Sequence, residues 1–91
     1  MLKEDISVAT SRSDRIRQYV FDQYVVTSRK QQSEKVTVRA GDVAEAMHIK
    51  TLIPLVCGAL QTEKFQSQFG ISLLERTGPK RGPNTLFTFH V

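Results

Sequence analysis

The stretch from Gly78 to Asn84, Gly-Pro-Lys-Arg-Gly-Pro-Asn, constrains this chain more than any other. Two glycines, two prolines and an asparagine in close succession restrict the backbone to turn conformations and exclude a helix across them. On either side stand β-prone runs, Ile71 to Thr77 and Thr85 to Val91. Phe87, Phe89 and Val91 share one face of the second run by the period of two in strands, and should meet Ile71 and Leu73 over a core. The segment reads as a β-hairpin whose stiff turn, residues 78–84, projects from the body with Lys80 and Arg81 at its tip.

Three helices are predicted ahead of this hairpin. Ser11 to Asp14 supplies several N-cap candidates for a first helix over Arg15 to Val26. Ile16, Tyr19, Val20 and Gln23 form one stripe of that helix, whereas Phe21 and Val25 fall on roughly the opposite side, and one core does not cover both. Either the N-terminal residues pack over Phe21 and Val25 or a second copy of the chain does, which makes this pair candidate dimer contacts. Residues 27–35 are polar and read as an exposed connection with extra helical turns allowed.

Val36-Thr37-Val38 suits a short strand. Ala40-Gly41-Asp42 then starts a second helix running to Met47, with Asp42 and Glu45 near its positive end, where a structural role suits them. Thr51 is the expected cap of a third helix, residues 52–66, which tolerates Pro54 in its first turn and stops before Gly70. Ile53, Val56, Cys57 and Leu60 make its core stripe. Residues 1–12 are expected to be an arm or extension and residues 13–91 a single domain, since a chain of 91 residues suits one shared core.

The order helix, strand, helix, turn, helix, strand, basic turn, strand resembles that of winged-helix DNA-binding domains over nearly the whole chain. The resemblance implies an α+β fold, a winged helix-turn-helix of three helices with a small antiparallel sheet ending in a β-hairpin wing. It also implies double-stranded DNA as partner. In that family the recognition-helix role would fall on Lys50, Thr51, Pro54, Leu55, Gly58, Gln61 and Thr62, and the wing role on Lys80, Arg81 and Asn84. Lys80-Arg81-Gly82-Pro83 also has a faint likeness to minor-groove AT-hooks, without their second arginine.

Charge agrees with a polyanionic partner. The formal net charge is +4, and Arg12, Arg15, Arg17 and Arg39 are candidate phosphate contacts. The face assigned to the third helix nevertheless lacks Arg and Asn, the side chains best suited to bidentate reading of base edges, and offers Gln61 alone of that group. Weak or short-site readout is expected, with homodimerisation combining two half-sites.

Other functions find little footing. No apolar run approaches the roughly 20 residues of a membrane span, and the first residues resemble no secretory or transit signal, so an intracellular, cytoplasmic protein is expected. Cys57 is the sole cysteine and suits a small buried hydrophobe. His48 and His90 lack partners at metal-ligand spacing, and Gly78 to Gly82 leads into a strand where a phosphate-binding loop leads into a helix. No enzyme activity, cofactor, metal or small-molecule substrate is expected. Two classes remain: a small transcriptional regulator that binds DNA, and a winged-helix protein interaction or dimerisation module, favoured by the apolar outer face around Leu52, Leu55 and Ala59.

Overall fold

A computed structural model describes residues 11–91. The expected arm therefore lies outside the described residues, except for Ser11 and Arg12, which begin the first helix. Ser11 is the N-cap of α1 (Arg12–Val20), its hydroxyl accepting the backbone N–H of Asp14 at 3.1 Å. A π-helical turn (Phe21–Val25) and α2 (Val26–Lys30) continue it, so that one helix spans 12–30. Then follow β1 (Lys35–Arg39), α3 (Ala40–Ala46), a 3-10 turn (Lys50–Leu52), α4 (Ile53–Leu60), α5 (Glu63–Phe69), β2 (Ser72–Thr77) and β3 (Leu86–His90).

Among the described residues the result is a small α+β arrangement in which four helices pack on a three-stranded antiparallel sheet of order β1-β3-β2. Element types and order agree with the sequence expectation, apart from the number of helices. The third predicted helix is two. Its break falls at Gln61 and Thr62, where Thr62 takes an extended backbone and its hydroxyl accepts the N–H of Phe65, capping α5. Gly70, in the left-handed conformation at φ 66°, ends α5 as expected. Thr51 caps nothing, because it lies inside the 3-10 turn, and α4 begins without a side-chain cap.

The first helix departs from the predicted stripe for a definite reason. Ile16, Val20 and Val25 are all fully buried, while Gln23 is exposed. In an uninterrupted α-helix Val20 and Val25 would sit about 140° apart. The π turn, in which the Val26 N–H reaches back five residues to the Phe21 carbonyl, adds one residue to the turn and returns Val25 to the core side. Val25 is thus no dimer contact, and Phe21 is covered within the chain by the Phe69 ring, stacked at 4.3 Å between centroids.

The five phenylalanines form one continuous chain of rings. Phe69 meets Phe65 edge-on at 5.6 Å, Phe65 meets Phe89 edge-on at 5.3 Å, and Phe89 neighbours Phe87 at 6.5 Å. Register brings Val36 opposite Phe89 and Val38 opposite Phe87, so the inner face of the sheet is apolar along both strands. Ile71 is buried and Leu73 half-buried, in agreement with the predicted strand face. In β2 the ladder is interrupted between Leu73 and Glu75, and Leu74 is left half-exposed.

Candidate nucleic-acid interface

α3 enters directly from β1, with no side chain to cap it. Its first amides are satisfied instead by the basic turn: Ala40 N–H donates to the Thr85 carbonyl at 3.0 Å and Gly41 N–H to the Pro83 carbonyl at 2.9 Å. The turn is braced from within as well. The fully buried Thr85 hydroxyl donates to the Pro79 carbonyl and accepts the Gly82 N–H at 3.0 Å. From β2, Arg76 Nη1 donates to the Lys80 carbonyl at 3.3 Å. Far from projecting freely, the turn is folded back on the body because these carbonyls serve as helix caps. Lys80 and Arg81 remain exposed on it.

That placement creates a groove of about 750 Å³. Thr51, Leu52, Pro54, Leu55, Gly58 and Ala59 line it from the 3-10 turn and α4. Ser11, Ser13 and Arg17 line it from the start of α1, and Arg81 lines it from the basic turn. The inner face of α4, with Val56, Cys57 and Leu60, is fully buried, which leaves the opposite face to the groove by helical periodicity. Five of the predicted recognition residues, Thr51, Pro54, Leu55, Gly58 and Thr62, are thus brought together with Arg81 of the basic turn.

Other predicted contacts are occupied internally. Arg17 is buried, its Nη2 donating to Asp14 Oδ1 at 2.7 Å and its Nη1 to the Ala59 carbonyl and Thr62 Oγ1, both at 3.4 Å. It pins α1 to the corner between α4 and α5 and is not a phosphate contact; its Nε is buried without a partner among the described residues. Arg39 Nη1 donates to Asp42 Oδ1 at 2.8 Å, and its Nε and Nη2 donate to Asn84 Oδ1 at 3.2 and 2.7 Å. All three guanidinium nitrogens of Arg39 are thus engaged within the chain, as is Oδ1 of Asn84, while Asn84 itself stays exposed and Arg39 partly so.

Two members of the recognition set are similarly engaged. Gln61 Nε2 donates to the Cys57 carbonyl at 3.1 Å, and its Oε1 accepts Arg76 Nη1 at 3.2 Å. Thr62 Oγ1 donates to the Ala59 carbonyl at 3.0 Å besides capping α5. Lys50 lies outside the groove, in a smaller depression with Arg39, Glu45 and Pro83, its ammonium 3.9 Å from the Glu45 carboxylate. Arg12 and Arg15 are exposed in the first turns of α1.

Sequence reading missed Ser13 as a groove residue, and Ser11 figured only as a cap. Hydroxyls so near the start of a helix signal backbone caps, which masks any further contact they make. Asp14 is held down to a pKa of about 2 by its hydrogen bond from Arg17 and then by Lys64. Cys57 is free and buried, and burial pushes its thiol up from the usual range, in keeping with a packing role.

In comparisons with known proteins, no family model, curated protein or solved structure matches the chain. Fold and groove define the class: a small α+β domain with a cation-bearing turn folded beside an outward-facing helix. No described helix is long and apolar enough to cross a membrane.

Proposed function

We propose that this domain is a winged helix that binds double-stranded DNA, acting as a small transcriptional regulator. The outer face of α4 addresses the major groove, and Lys80 and Arg81 grip the neighbouring backbone. One observation carries this reading: Thr51, Pro54, Leu55 and Gly58 of the helix face line the same open groove as Arg81 of the basic turn. The sheet order β1-β3-β2, with the basic turn joining β2 to β3, supports it. Exposed Arg12 and Arg15 add cations at the start of α1, beside Ser11 and Ser13 of the groove wall.

The test is fluorescence anisotropy of A·T-rich and G·C-rich duplexes at several salt concentrations. Binding that weakens steeply with salt is expected, with a shallower slope for the Lys80→Ala, Arg81→Ala double variant. Absence of binding at low salt overturns the proposal. The apolar groove floor of Leu52, Leu55 and Ala59 favours a second reading, an interaction module. In that case Leu55→Asp abolishes a protein complex that the wing variant leaves intact.

A further inference from the structure

Resting on the DNA-binding reading, we infer that the α4 face selects its sites through the C5-methyl groups of thymine, with Thr51, Leu55 and Gly58 forming the contact surface. Two side chains of this face able to hydrogen-bond base edges, Gln61 and Thr62, are already used. Gln61 is bonded at both ends of its amide, and Thr62 both caps α5 and bonds Ala59. What remains on the face is mostly apolar: the Thr51 methyl beside its hydroxyl, the Pro54 ring, the Leu55 side chain and the bare backbone of Gly58.

Gly58 is the independent observation. It stands inside α4, where glycine costs roughly 0.5–1 kcal/mol relative to alanine. A Cβ built on it meets nothing within 4 Å. Internal packing therefore gives no reason for glycine at this position, whereas close approach of an outside group to the helix backbone does. In the major groove, the thymine methyl is the apolar group that stands out from the base edge, and phosphates flank it. A largely apolar strip with the cation Arg81 along its border suits that arrangement of methyl and phosphate.

The test replaces thymine by deoxyuridine, which removes the methyl and keeps every hydrogen-bonding group. Full-length protein is titrated against an A·T-rich duplex and its uracil counterpart, with Leu55→Ala and Thr51→Ser as variants; Thr51 is exposed, so its variant leaves the fold undisturbed. Each buried methyl is expected to contribute about fourfold in affinity, so the uracil duplex binds weaker by that factor or more, and the difference shrinks in both variants. Equal affinities for the two duplexes overturn the inference while leaving DNA binding intact. A uracil penalty unchanged in both variants removes it from this helix face. Failure to bind either duplex at low salt overturns the inference together with the reading it rests on.

Discussion

Arg39 and Asn84 are joined by two hydrogen bonds to one oxygen: Nε and Nη2 of the guanidinium both donate to Asn84 Oδ1, at 3.2 and 2.7 Å. The third arm of the same guanidinium reaches Asp42 at 2.8 Å. One side chain at the end of β1 thus ties the base of the basic turn to the first turn of α3. These bonds are partly exposed, so Asn84→Ala is expected to lower stability by about 1 kcal/mol. A double-mutant cycle with Arg39→Ala, followed by urea unfolding, measures the coupling; strictly additive effects would contradict the bond's contribution.

Two glycines in helices should respond oppositely to the same substitution. A Cβ on Gly41 would lie 2.8 Å from both the Pro83 carbonyl oxygen and Arg39 Nη1. Since Pro83 is held by the Gly41 amide itself, Gly41→Ala is expected to destabilise by roughly 1–3 kcal/mol, as overpacking does elsewhere. Gly58→Ala meets open space and should stabilise by about 0.5–1 kcal/mol. Thermal unfolding of the two variants side by side decides the matter, and a gain at Gly41 would refute the close approach.

The π turn makes a prediction about chain length. Deleting exposed Gln23 places Val20 and Val25 four positions apart, which is the spacing an ordinary α-helix needs to bury both. The deletion variant should remain folded, with stability within about 1 kcal/mol of the parent. A one-residue deletion in a regular helix instead rotates everything beyond it by about 100°. Loss of cooperative unfolding in the Gln23 deletion would sink this account of the helix.

Asp14 links stability to pH. Its carboxyl titrates at about 2 in the folded chain, from an ordinary value of 3.8, because Arg17 and Lys64 favour the charged form. The unfolded chain therefore binds the proton first as pH falls. The contribution of Asp14 is complete above about pH 4 and lost as pH falls through about 2. Denaturant midpoints of Asp14→Asn should be lower than those of the parent near neutrality and should converge on them in that acid window. Parallel curves would contradict the pairing.

Much of the architecture was legible because its signals are local. Prolines and glycines marked the hairpin turn, alternation marked β1 and β3, and Gly70 marked the end of a helix. The split between α4 and α5 also had a signal, Thr62 followed by Glu63, an N-cap and an acidic first turn, but with Gly70 as the nearest strong breaker the stretch 52–66 suggested one helix. The π turn was not legible, since a spacing of five between Val20 and Val25 implies opposite faces until one residue is inserted into the turn. Nor was the fate of Arg17, Arg39 and Asn84. Their polarity signals exposure, while their role depends on partners that the fold alone brings near.

The irregularity at Leu74 has an effect beyond the domain's own surface. β2 is an outer strand, and the free N–H and C=O groups of such a strand can recruit a strand from another molecule. The bulge interrupts the ladder just past Leu73, and Glu75 and Arg76 place charges along the remainder. An exposed leucine on a flat, regular edge strand would invite edge-to-edge aggregation; here the ladder loses its regular register at the leucine itself.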